Sequence, residues 1–175
     1  MYRYFAYGSV LSRRHLAEWA GEHGVDPRLF AQGTPAVLKG YELVFDVESK
    51  FWGGRVANLR ERAGGEVHGV LFDIPHEAKE AVLRKEGVPT GLSEEREVSV
   101  EASGQPVAAS AFVARAERRS LSGRPSARLM TYLVEGARER GLPQSWIDEL
   151  SRHAAGAAPA EQPPGASSLK LGLKR

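Results

Sequence analysis

Two stretches of this chain set groups capable of chemistry beside breaks in the backbone pattern. The first is Tyr4-Phe5-Ala6-Tyr7-Gly8-Ser9-Val10-Leu11, an aromatic run that stops at Gly-Ser. A strand that ends there and turns into a helix leaves backbone N–H groups unpaired at the junction. Such donors suit a carboxylate or a developing oxyanion. The same residues also make a plain strand-to-helix turn with Ser9 or Ser12 as its cap. The second stretch is Lys85-Glu86-Gly87-Val88-Pro89-Thr90-Gly91. It puts a carboxylate at the end of a helix, where the partial negative charge raises a carboxyl pKa toward the range of a general base working near neutrality. The plainer alternative is an exposed glutamate ahead of a glycine C-cap.

The remaining reactive side chains show no comparable grouping. The five histidines, His15, His23, His68, His76 and His153, have no metal-ligand spacing, and no metal site is expected. His68 falls inside a predicted strand and reads as structural. There is no Gly-x-Ser-x-Gly elbow. Gly53-Gly54 and Gly64-Gly65 are turn material, not phosphate loops. Phe51 and Trp52 either wall a pocket or pack on the body of the protein. The chain has no cysteine, which excludes thiolate nucleophiles, zinc–thiolate sites and disulfides, and is consistent with a reducing cytoplasmic setting.

The elements that must carry these stretches follow from periodicity. Tyr2 to Tyr7 reads as a strand. Ser12 caps a helix from Arg13 to Glu22 that stops near Gly24, and Asp26 to Gln32 adds a short helical piece. Ala36 to Asp46 is a long strand with a bulge at Gly40. A turn over Lys50 to Gly54 leads to two strands, Arg55 to Arg60 and Glu66 to Asp73, separated by Ala63-Gly64-Gly65. Pro75 opens a helix to Lys85, and Gly87 stops it. Glu95 to Glu101 and Gln105 to Ala114 form a hairpin across Ser103-Gly104. Ser126 to Arg140 is an amphipathic helix with Leu129, Leu133, Val134 and Ala137 on one side. Gly141-Leu142-Pro143 then starts a shorter helix to about His153. Strands clustered at hairpin spacing, with helices between, make an α+β domain over residues 1–153. Residues 154–175 are rich in Ala, Gly, Pro and Ser and read as a tail, in which Leu169 to Arg175 is either a short strand or mobile.

With 175 residues, 42% hydrophobic and 26% charged, one such domain can bury a core without a covalent or metal staple. The net charge of +2 and the lack of an aromatic-interleaved basic stripe argue against a nucleic-acid partner. No signal-peptide pattern opens the sequence, and no apolar run approaches a membrane span.

Taken together, these segments resemble the γ-glutamyl cyclotransferase family, also called AIG2-like. Tyr4 to Leu11 is similar to that family's Tyr-Gly-Ser-Asn-Leu loop. Trp52-Gly53-Gly54 with Val56-Ala57-Asn58-Leu59, and Glu66 to Phe72, are similar to two of its strands. Glu86-Gly87-Val88 with Gly91 resembles its catalytic segment. Gly136-Ala137 and Gly141-Leu142-Pro143 with Trp146 and Leu150 resemble its closing helices. The resemblance covers residues 2 to 152 and implies a small, closed or nearly closed mixed β-barrel with surrounding helices. It also implies a substrate cradle of Tyr7, Gly8, Ser9, Val10 and Leu11, with Glu86 as the acid/base. The implied reaction is release of 5-oxoproline from a small γ-glutamyl substrate without a cofactor. Val10 stands where the family usually has Asn, Ser93 where a Tyr commonly follows, and Leu83 where an Asp often precedes. Two alternatives stay open: removal of a γ-glutamyl group from a larger amine, and a barrel that binds a small acid or a protein without turnover. The sequence leaves monomer and homodimer equally open.

Overall fold

The structure, a computed structural model, describes residues 1–157. Five strands form the body: β1 (Tyr2–Ala6), β2 (Thr34–Ser49), β3 (Gly54–Ile74), β4 (Ser93–Ala102) and β5 (Gln105–Ala114). They close into a barrel in the order β1-β3-β2-β4-β5. Every pairing is antiparallel except the seam, where β1 meets β5 in parallel at Tyr4 and Ser110. Four helices cover the barrel: α1 (Arg13–His23), α2 (Lys79–Lys85), α3 (Ala127–Glu139) and α4 (Gln144–Ala155). The α+β barrel expected from the sequence is the one observed. The last helix takes in Ala154 and Ala155, two residues past its expected end at about His153. The expectation for Leu169 to Arg175 lies outside the described residues.

Local chemistry sets most element ends. Ser12 Oγ accepts the His15 N–H at 3.2 Å, and Gly24 closes α1 in the left-handed region. Ser126 Oγ accepts the Leu129 N–H at 3.1 Å at the start of α3. The β4–β5 turn places Ser103 and Gly104 at positive φ, as a two-residue hairpin requires. Asp26 caps a 3-10 turn over Pro27–Phe30.

Three expectations are corrected. Pro75 does not begin an α-helix; it precedes a 3-10 turn over His76–Ala78, and α2 starts only at Lys79. The strand through Ala36 does not stop at Asp46 but continues to Ser49 past a second bulge. There Asp46 falls between the paired Phe45–Ala57 and Val47–Val56 and is left out of the ladder. The two strands predicted on either side of Ala63-Gly64-Gly65 are one long strand, β3. Its register jumps from Tyr41–Glu61 to Lys39–Glu66, so Arg62 to Gly65 bow out opposite Gly40. The expected bulge at Gly40 is present, with φ at +80°. Glycine on both sides lets the pair bend without breaking.

Inside the barrel, Tyr4, Phe72 and Phe112 form an aromatic column. Tyr4 lies 6.1 Å from Phe72 and 5.7 Å from Phe112 between ring centroids. At one end β1 runs into a 3-10 turn over Ser9–Leu11, which α1 and α3 hold from outside. Buried Arg140, just past α3, is the clamp. Its guanidinium donates to the carbonyls of Leu11 at 3.1 Å, Ala31 at 3.2 Å and Phe30 at 3.0 Å. Burial, and then the nearby Arg13, lowers its pKa to about 10, which leaves it charged at neutrality. Arg140→Met keeps the stem but removes that donor from the Leu11 and Phe30 carbonyls, while the Ala31 carbonyl keeps the Arg13 guanidinium at 3.1 Å. Urea melts are expected to show a loss of about 2 kcal/mol, and an unchanged midpoint would show that the clamp carries no load.

Candidate active site

Glu86 sits immediately after α2, and its backbone is fixed by a helix-ending motif. The Gly87 N–H donates to the Arg84 carbonyl at 3.2 Å and the Val88 N–H to the Leu83 carbonyl at 3.0 Å. This is the paired pattern that needs a left-handed residue after the cap, and Gly87 supplies it at φ +73°. Ser93, at the start of β4, donates its hydroxyl to the Glu86 carbonyl. Held this way, Glu86 turns its carboxylate inward, where Oε1 accepts the hydroxyl of Tyr4. Glu86 is half-buried, not the exposed residue of the plainer reading.

Burial raises the Glu86 pKa above the ordinary glutamate value, against opposing effects from Lys85 and the Tyr4 hydrogen bond. The direction is the expected one, but the leading cause is desolvation instead of the helix end. Tyr4 is itself buried, and burial followed by the charge of Glu86 raises its pKa, so the phenol stays protonated and donates. Tyr7 donates to the Phe112 carbonyl at 2.5 Å, which ties the end of β1 to β5.

Glu86 opens onto a chamber of about 140 Å³. Of the predicted cradle, Tyr7, Gly8 and Ser9 line it. Val10 and Leu11 do not: their side chains are buried in the core. The Leu11 N–H is taken by the Gly8 carbonyl at 3.1 Å and the Ser12 N–H by the Ser9 carbonyl at 3.1 Å. Among the described residues no acceptor pairs with the Ser9 or Val10 amides. Ser93 and Trp52 also line the chamber, and Phe51 stays largely exposed. A second chamber of about 300 Å³ continues from the first, sharing Trp52, Val47, Val56, Lys85 and Leu92 with it. Phe51, Trp19 and Arg128 form part of its outer wall.

Gly8 has ordinary negative φ, −105°, and a Cβ there would meet nothing within 4 Å. Its value lies in leaving room at the chamber wall, not in an unusual backbone shape. Gly8→Val is therefore expected to leave the melting temperature nearly unchanged and to cut kcat/KM by more than Ser9→Ala does. A Gly8→Val protein with parental kinetics would show that ligands do not pass that wall.

Residues with no assigned role also come together here. Tyr4 reads as one more apolar position in β1. Lys85 Nζ lies 3.2 Å from both Ser9 Oγ and His15 Nε2. His15 is buried, with its ring 4.9 Å from Trp52 and 5.1 Å from Tyr132. Burial, with Lys85 and Arg128 nearby, lowers its pKa to about 3, so it is neutral and can accept from Lys85. The other histidines stand apart: His68 packs on Trp146 and His153 on Phe45. Among the described residues no group of three or more His, Asp or Glu is placed to hold a metal ion, and no helix is long and apolar enough to cross a membrane.

A closed five-stranded α+β barrel, entered where its first strand turns toward its first helix, is the γ-glutamyl cyclotransferase fold. Residues 66–150 match the model of the AIG2-like family. A Bacillus subtilis (strain 168) protein named "Putative gamma-glutamylcyclotransferase YkqA" is 34% identical over 102 residues, 58% of this chain and 34% of that protein. The crystal structure of YkqA superposes with a TM-score of 0.76 at 26% identity, over 89% of this chain and 55% of that one. The chain thus spans only about a third to a half of that relative. A structure described as a gamma-glutamyl cyclotransferase superposes at a TM-score of 0.73 and 24% identity, over 96% of this chain and 94% of that chain.

Proposed function

We propose that the protein is a γ-glutamyl cyclotransferase in which Glu86 is the proton shuttle. The observation that supports it most is a half-buried carboxylate of raised pKa in the wall of a chamber in this fold, a wall it shares with Tyr7, Gly8 and Ser9 of the strand-to-turn junction. The substrate's α-ammonium, with an ordinary pKa of about 8, gives a proton to Glu86. The freed amine attacks the γ-carbonyl carbon, and the oxygen gains negative charge. The Ser9 amide, at the chamber wall, would take that charge, an effect worth roughly 3 kcal/mol for a well-placed donor. Glu86 returns the proton to the leaving nitrogen, and the bond from that nitrogen to the γ-carbon breaks. The ring nitrogen's surplus proton follows the same route, so the amine departs as its ammonium ion and Glu86 ends as a carboxylate. The products are 5-oxoproline and the amine.

The nucleophile belongs to the substrate, so no serine or cysteine nucleophile is required. The test is release of 5-oxoproline from a panel of γ-glutamyl amides by the folded protein. Binding of 5-oxoproline without turnover of any of them would favour a non-catalytic acid-binding barrel.

The second chamber favours a leaving group larger than a small amino acid. Val10 contributes nothing to that argument, because its side chain is in the core. Ser93 remains at the chamber wall, bound to the Glu86 backbone. Comparing kcat/KM for γ-glutamyl-alanine with that for a γ-glutamyl amide of a bulky amine decides between the two. A strong preference for the alanine derivative removes the larger-amine reading.

A further inference from the structure

Lys85 is a lysine in an unusual position for one at a helix end. Its ammonium does not reach into solvent as a helix C-terminus would encourage. It turns inward, half-buried, and lines both chambers, so it stands at the waist between them. Two neutral acceptors hold it, Ser9 Oγ and His15 Nε2, each at 3.2 Å. His15 is in turn wedged between Trp52 and Tyr132, and its backbone N–H donates to Ser12 Oγ at the start of α1. The cation is therefore built into place from two sides. Among the described residues it forms no ion pair with any carboxylate. An ammonium has three N–H donors, and two are used.

A desolvated cation without a counter-ion is costly to fold around. Burial lowers its pKa, against the pull of Glu86. Such an arrangement persists where an anion arrives with the ligand. The first chamber has one cation in its wall, Lys85, and one carboxylate, Glu86. They are consecutive in sequence and project into one small space. A γ-glutamyl group carries an ammonium and a carboxylate on a single carbon, the same pair of charges reversed.

We propose that Lys85 is the anion anchor of this site: its ammonium, set by Ser9 and His15, takes the substrate α-carboxylate while Glu86 takes the α-ammonium. This rests on the cyclotransferase reading and narrows it. The substrate class becomes amides of a γ-linked α-amino acid with a free α-carboxylate. Chains that bear the amine alone, or an esterified or amidated α-carboxyl group, are rejected. Ser9 then has a second role beyond its backbone: its hydroxyl positions Lys85 and is not a nucleophile.

The test compares γ-glutamyl-alanine with 4-aminobutanoyl-alanine, which has the same reacting atoms and lacks the α-carboxylate. The first releases 5-oxoproline and the second 2-pyrrolidinone. In the parent, kcat/KM is expected to favour the first by roughly 10- to 100-fold, the value of one charge-assisted contact. In Lys85→Met that preference collapses to near parity, chiefly through KM, and Lys85→Arg restores part of it. Equal losses on both substrates in Lys85→Met would overturn the proposal and make Lys85 a structural or proton-transfer group. A burst of product in the parent that vanishes in Ser9→Ala would also overturn it, by making Lys85 the base for a serine nucleophile. If the parent turns over neither substrate, calorimetry with 5-oxoproline and 2-pyrrolidinone still decides. Binding of the acid alone, lost in Lys85→Met, supports the anchor even though the reaction assignment has failed. Binding of both or of neither overturns it.

Discussion

Glu86→Gln is expected to lower turnover of a γ-glutamyl amide by at least about 10²-fold. The substitution keeps the shape of the side chain and its acceptor for the Tyr4 hydroxyl, and removes the only carboxylate that the described residues place in the chamber wall. The same raised pKa governs stability, and its sign is fixed. A folded-state pKa above the unfolded value of about 4.3 means that the folded protein holds this proton more tightly. That contribution is complete below the unfolded pKa and is lost as pH rises through the folded one. A glutamine has no proton to lose. The Gln protein should therefore melt higher than the parent near pH 8, with the difference shrinking toward pH 4. In the parent, the acidic limb of kcat/KM should lie above the ordinary glutamate range. Full activity in a Gln protein that is folded by circular dichroism would remove Glu86 from the mechanism. A Gln protein that melts lower than the parent at pH 8 would show that the carboxylate is not desolvated.

Gly136→Ala is expected to damage stability and activity together. Gly136 lies where α3 crosses the turn after β1, and a Cβ there would come within 2.5 Å of the Leu11 carbonyl carbon and the Ser12 nitrogen. Both are backbone atoms, so no side-chain rotation relieves the contact. Overpacking of this kind costs about 1–3 kcal/mol. For a domain of this size that corresponds to a fall in melting temperature on the order of 5 °C. The helix or the turn must move, and the turn carries the Ser9 and Val10 amides. Activity should therefore drop even at temperatures where the protein stays folded. An alanine variant with parental melting and kinetics would show that α3 and the turn can separate at no cost.

What the sequence made legible was local. Ser12, Gly24, Ser126, Gly87 and the Ser103-Gly104 turn each act within a few residues, and each does what its chemistry predicts. Glu86 and the turn after β1 were legible as a pair only through family resemblance, because nothing local brings them together. Tyr4 was not legible as a partner of Glu86. An aromatic residue in an apolar strand looks the same whether its hydroxyl meets a carboxylate or water. Lys85 was hidden by a sufficient local explanation, since a lysine in the last turn of a helix already satisfies the dipole. Val10 shows the opposite error. Its place in the motif suggested the chamber, while the 3-10 turn rotates it into the core. The bowed segment in β3 was read as a strand break because glycines mark both a break and a bulge, and only the partner strand tells them apart.

Three of the hydrogen bonds that join separate elements around the chamber span long stretches of chain. Tyr4 and Glu86 are 82 residues apart, Ser9 and Lys85 76, and Tyr7 and Phe112 105. The parallel seam between β1 and β5 joins the beginning of the ring to its last strand. Closing loops of that length is entropically slow, and it comes after local hairpins and helices have formed. A chain refolding from denaturant should regain helical signal before it regains any turnover. Recovered turnover of a γ-glutamyl amide would then serve as a clock for ring closure, reporting the last step of folding and none of the earlier ones.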